Sequence, residues 1–122
     1  MTIHYKFGEK DTRPWGTWEI TDIGTNYIIK KITVIPHQKL SLQLHHHRNE
    51  HWIIVSGAAI ITIGDTQKAV FENTHFYIPK ETKHRLENPT NKSICFIEIQ
   101  TGDLLDETDI VRFEDNYERC HL

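Results

Sequence analysis

The chain has 122 residues, with 14 Lys or Arg against 17 Asp or Glu and a formal net charge of −3 with histidine neutral. That length suits one domain able to remove roughly two-thirds of its unfolded surface from water, and without a run of like charges it offers nucleic acid no binding face. No apolar run approaches the roughly 20 residues of a membrane span and the first ten residues lack the apolar centre of a signal peptide, so a soluble cytoplasmic protein without a membrane partner is expected.

Cys95 and Cys120 stand far apart and outside any CxxC pattern, which argues against a disulfide framework or a thiolate metal site. Nine histidines are the unusual feature, three of them consecutive at His45, His46 and His47 inside an alternating segment rather than at a terminus. In chain order, β-type runs are predicted at residues 17–23, 26–34, 39–46, 50–56, 58–63, 68–71, 75–78, 83–87 and 93–100. Turn residues fall between them at 35–37, 56–57, 64–65, 72–73, 79–81 and 88–91. Closely spaced strands with no internal repeat predict an all-β sandwich or barrel. We read residues 1–122 as one domain with a core at about 14–101 and a tail from 102 to 122, of which 104–113 fits either a short helix or a covering strand.

Period-two geometry in Lys39-Leu40-Ser41-Leu42-Gln43-Leu44-His45 sets Lys39, Ser41, Gln43 and His45 on one face and three leucines on the other. Glu50 shares a face with Trp52 and Ile54, and Gly57 follows after six residues. Farther on, Pro79-x-Glu81-x-x-His84-x-x-x-Asn88 places another histidine just after a tight turn. These spacings resemble the two motifs of the cupin (double-stranded β-helix, or jelly-roll) superfamily. Setting Glu50 and Gly57 in register puts the first two ligand positions on Gln43 and His45. A Gln-x-His start is similar to the variant of phosphomannose isomerases in which Gln, His, Glu and His hold zinc. The resemblance therefore implies a metal on Gln43, His45, Glu50 and His84. One amide oxygen, two imidazoles and one carboxylate suit a divalent ion with open positions, zinc first, with manganese, iron, nickel and cobalt as alternatives. His46, His47 and His51 are read chiefly as neighbours of the site or surface groups. Glu81 stands at the usual glycine position of the second motif, which leaves that turn open, and His37 and Glu118 replace glycines usual in the family, so those two turns are expected to differ.

Arg13-Pro14-Trp15-Gly16, the stretch from Lys39 to Gln43, the stretch from His45 to Trp52, His84-Arg85-Leu86-Glu87-Asn88-Pro89, Ile97 to Gly102 and Asp109 to Tyr117 are similar to the C-terminal cupin domain of type II phosphomannose isomerase/mannose-1-phosphate guanylyltransferases. That resemblance implies a metal-dependent mannose-6-phosphate isomerase, interconverting mannose 6-phosphate and fructose 6-phosphate. Guanylyl transfer is not expected, since no Gly-rich nucleotide loop is present. Proton transfer needs a base, for which Lys39, Glu98 and His47 are candidates. Phosphate needs cations, for which Arg48, Arg85, Arg112 and Arg119 are available. Trp15, Trp18 and Trp52 are read as core or mouth packing. An alternative is a non-catalytic, metal-containing sugar-phosphate-binding or regulatory cupin in nucleotide-sugar and polysaccharide synthesis. A second alternative, an iron-dependent cupin dioxygenase, would show itself by ferrous iron and oxygen uptake. A homodimer is expected, as cupin domains usually pair through exposed strands.

Overall fold

A computed structural model describes residues 2–117. Every element in that span is a strand: β1 (Thr2–Ile3), β2 (Lys10–Arg13), β3 (Gly16–Ile23), β4 (Tyr27–Val34), β5 (Leu42–Leu44), β6 (Arg48–Ser56), β7 (Ala59–Ile63), β8 (Thr66–Val70), β9 (His75–Ile78), β10 (His84–Glu87), β11 (Ile94–Gly102), β12 (Leu104–Leu105) and β13 (Val111–Glu114). No helix among the described residues is long and apolar enough to cross a membrane. The tail resolves as the short strands β12 and β13 rather than a helix. Cys120 and Arg119 lie outside the described residues.

A six-stranded sheet, in the order β2-β3-β4-β11-β6-β9, faces a five-stranded sheet, β13-β5-β10-β7-β8, and β1 pairs with β12 in a small parallel ribbon. Strict alternation in β4, β6 and β11 explains why: Ile28, Lys30, Ile32 and Val34 are buried, as are Arg48, Glu50, Trp52 and Ile54, and Ile94, Phe96, Glu98 and Gln100. Successive side chains of a strand point to opposite faces, so each of these sets shares one interior. Cross-strand register arranges that interior in rows. One runs Trp18, Ile32, Phe96 and Ile54; the next runs Ile20, Lys30, Glu98, Trp52 and Phe76. The interior is thus apolar toward one end and charged toward the other.

The apolar end carries the stability. Trp52 stacks on Phe96 with ring centroids 4.3 Å apart and meets Phe76 at 5.5 Å, and Ile54, Ile61, Leu86 and Ile94 close the space between the sheets. Full burial of one such side chain stabilises by about 1.5–3 kcal/mol. All three tryptophans are buried, Trp52 and Trp18 beside the charged end.

Among the described residues, three other than glycine hold a backbone that normally selects glycine, Asn73 at φ 70° being one of them. His37 has φ 61° and Glu81 has φ 64°. Both positions are left-handed, the backbone that glycine would supply, so at His37 the expected departure is not found; Glu118 lies outside the described residues. Gly57, with φ 92°, meets the same requirement between β6 and β7 without a side chain.

Candidate metal centre

The five-stranded sheet supplies one half of the site through a single inward row. Arg112 pairs with Gln43, Gln43 with His84, and His84 with Ile63, so residues from two separate motifs become lateral neighbours. Glu50 comes from β6 of the opposite sheet, and His45 from the bend that follows β5. One ligand atom each from His45, Glu50 and His84 lies within 4.8 Å of the others, and all three residues are buried.

Hydrogen bonds fix both imidazoles in the ligating tautomer. His45 Nδ1–H donates to the Asp109 carbonyl at 2.6 Å, and His84 Nδ1–H donates to the Thr82 carbonyl at 2.9 Å. The remaining Nε2 lone pairs face Glu50, at 3.2 Å from Oε2 for His45 and 4.0 Å from Oε1 for His84. Arg48 Nη2–H also reaches His45 Nε2, at 3.3 Å, so a cationic donor stands at that lone pair; two neutral imidazole nitrogens converging on one carboxylate are a donor set that fits a divalent metal. Gln43 spends its amide nitrogen on Ser41 Oγ at 3.1 Å and on the Ser41 carbonyl at 3.3 Å. Its carbonyl oxygen is the end left to a metal.

Burial, with the Arg48 charge next, pushes His45 down to about 3, and burial likewise lowers His84. Both imidazoles are therefore neutral at pH 7, as ligation requires. Burial acts to raise Glu50, but the charges of His45, Arg48 and His84 and the Arg48 hydrogen bond outweigh it and hold the carboxyl well below its usual range. Arg48 is the partner that does this when the imidazoles are neutral, with Nε donating to Glu50 Oε2 at 2.8 Å. The other Glu50 oxygen accepts from Trp52 Nε1–H at 2.8 Å. The carboxylate is thus aimed before any ligand arrives.

Above this centre opens a cavity lined by Arg13, Lys30, Arg48 and Arg112 on the cationic side and by Glu50, Glu98 and Glu107 on the anionic side. Glu98 is buried and pushed up to about 8, chiefly by desolvation and then by the Glu50 charge, while Gln100 Nε2–H donates to its Oε2 at 2.6 Å. The segment 103–110 seals one wall. Asp109 accepts the backbone N–H groups of His46 and His47, each at 3.0 Å, and the Asp106 carbonyl accepts Arg48 Nη1–H at 2.9 Å.

Of the residues singled out in the sequence, Gln43, His45, Glu50, His84, Glu98, Arg48 and Arg112 line this cavity, whereas Lys39, His47 and Arg85 do not. Lys39 is displaced because the chain from Lys39 to Ser41 is not a regular strand; it makes a lone bridge to Glu87 while Leu40 and Ser41 turn to the cavity. His47 is exposed, with Nδ1 at 3.2 Å from Asp103. Arg85 is tied to the Leu40 carbonyl and to Glu114. Arg48 reaches the cavity, yet its guanidinium is committed to Glu50, Asp106 and His45 Nε2. Arg13, Lys30 and Glu107 were not anticipated. Lys30 was legible, since Ile28 and Ile32 on either side of it fix its inward face.

The description "mannose-6-phosphate isomerase C-terminal" matches residues 3–115. The chain belongs to this family. Curated relatives include the xanthan biosynthesis protein XanB of Xanthomonas campestris, 51% identical over 107 residues covering 88% of this chain, and the mannose-1-phosphate guanylyltransferase ManC of Salmonella typhimurium, 48% identical over the same share. The chain spans only 23% and 22% of their lengths. Among solved structures, a Cupin 2 conserved barrel domain protein from Salinispora arenicola superposes with a TM-score of 0.61 at 17% identity, covering 75% of this chain and 76% of that one. The oxalate decarboxylase OxdC of Bacillus subtilis superposes at 0.73 with 21% identity, covering 86% and 30%. At those identities the likeness establishes the cupin fold alone.

These relatives overturn the expectation that the chain is a mannose-6-phosphate isomerase. Members of the same family at about half identity are named for guanylyl transfer or for xanthan and alginate biosynthesis, so the isomerase activity and its proton-transfer roles for Lys39, Glu98 and His47 are withdrawn.

Proposed function

We propose that this cupin domain holds a divalent metal and binds a sugar phosphate without transforming it, serving nucleotide-sugar supply for polysaccharide synthesis. The observation that carries this reading is the meeting, in one cavity, of the His45, Glu50 and His84 donors with the cations Arg13, Lys30 and Arg112. Metal bound to His45, Glu50, His84 and Gln43 would act as a Lewis acid for hydroxyl or phosphate oxygens. Zinc is the ion of first choice on an amide, two imidazoles and one carboxylate. The names of the relatives, with mannose 1-phosphate as the substrate of one and xanthan as the product of another, support a sugar phosphate as the ligand. A cytoplasmic setting and a homodimer belong to the same reading.

Titration calorimetry of the zinc-loaded protein with mannose 1-phosphate and mannose 6-phosphate tests it. Saturable one-to-one binding of at least one is expected, weakened more than tenfold in His84→Ala. Heats indistinguishable from dilution for both sugars, with zinc bound, would remove the sugar-phosphate reading.

A further inference from the structure

Lys30 is the most enclosed cation in the cavity that is not tied to the metal ligands, its side chain 4% exposed. Its ammonium lies 4.5 Å from the Trp18 ring centroid and 4.9 Å from that of Tyr5, with the Tyr5 hydroxyl at 3.4 Å. Two aromatic faces and a hydroxyl hold the charge in place; its direct ion pair is with Glu107 Oε1, at 2.6 Å, and the buried Glu98 is its cross-strand neighbour. The two halves of this pair are unequal. Glu107 is 32% exposed at the cavity mouth, and it sits on a short turn rather than in a strand.

That turn is fastened on both sides. Asp106 accepts from Thr108, contacts His4 and gives its carbonyl to Arg48, while Asp109 holds the His46 and His47 amides. Glu107, about a third exposed, can therefore leave Lys30 by rotating its own side chain, with the Arg13 charge also acting on it, while the backbone of the strap stays put. Lys30 has no such exit. A buried ammonium is stabilised by an anion beside it, and with the neighbouring Glu98 carboxyl pushed up to about 8 by its burial, that anion is Glu107 or one brought in from outside.

Resting on the sugar-phosphate reading above, we propose that Lys30 is the group that receives the ligand's phosphate and that Glu107 is an internal placeholder, displaced when the phosphate arrives. The exchange keeps an anion beside Lys30 and makes the site select anionic ligands: a neutral sugar has nothing with which to replace the carboxylate. It also sets affinity, because every ligand must first compete with a carboxylate already in place.

Calorimetry of the zinc-loaded protein with inorganic phosphate and with mannose 1-phosphate, in wild type, Glu107→Gln, Glu107→Asp and Lys30→Gln, tests the proposal. Glu107→Gln is expected to tighten binding of both probes about tenfold, and Glu107→Asp, with its shorter reach, to tighten it less. Lys30→Gln is expected to weaken both probes more than tenfold. Thermal melts establish that each variant is folded, and Glu107→Asp keeps the test alive if Glu107→Gln is not. Wild type that binds mannose 1-phosphate while a folded Glu107 variant binds it no tighter, or more weakly, would overturn the placeholder and leave the sugar-phosphate reading standing. Wild type that binds neither probe would sink that reading, and the placeholder with it.

Discussion

Glu81 and His37 carry side chains at φ 64° and 61°, a region where L-residues are disfavoured by roughly 1–2 kcal/mol. Their environments separate them. Glu81 makes a short backbone bond, its N–H donating to the His45 carbonyl at 2.6 Å, which glycine would keep. His37 also bonds through its ring to Asn91 Oδ1 at 2.6 Å, which glycine would lose. Equilibrium urea denaturation should find Glu81→Gly more stable than wild type by up to about 1 kcal/mol and His37→Gly close to neutral. At this scale the meeting of His45, Glu50 and His84 was legible because motif spacing fixes which residues share a face, while their supports were not. The Asp109 carbonyl beneath His45 is 64 residues away in sequence, and Glu107 is 77 residues from Lys30. Periodicity assigns a face; it says nothing about which distant loop closes over it.

The inward row Lys30, Glu98, Trp52 across β4, β11 and β6 places a carboxyl in a site where burial raises it to about 8, against an ordinary value of 4.5. Between those values the folded chain holds a proton that the unfolded chain has released, so stability falls as pH rises through the window. His45, lowered to about 3, and His84, also lowered, act in the opposite sense, but only below their ordinary value of 6.5. From about 6.5 to 8 the Glu98 contribution stands clear of theirs. The metal-free protein should therefore lose up to about 2 kcal/mol across that range, and Glu98→Gln should be flat, by urea denaturation at each pH. Element positions were read well where alternation is sustained: β4, β6 and β11 fall within two residues of their predicted limits. The predicted strand 39–46 shrank to Leu42–Leu44. The chain irregularity at Leu40 and Ser41 broke the alternation that would have carried Lys39 inward.

For the whole molecule, the fold class and the two-sheet interior followed from the sequence, since strands that bury every second residue need a facing layer. The edges did not follow. β1, β2, β12 and β13 are two to four residues long and owe their place to pairing with other strands, not to a pattern of their own. Yet β13 and the turn before it wall the cavity through Glu107, Ile110 and Arg112, so the part of the chain with the weakest sequence signal completes the site. What that cavity can do depends on a metal at its His45, Glu50 and His84 cluster. Metal content by plasma mass spectrometry, after equilibrium dialysis of wild type and His84→Ala against micromolar zinc, tests this most directly. One zinc per wild-type chain and well under half of that in folded His84→Ala is the result predicted; wild type emerging without zinc, or both proteins retaining it equally, would contradict a centre built on His45, Glu50 and His84.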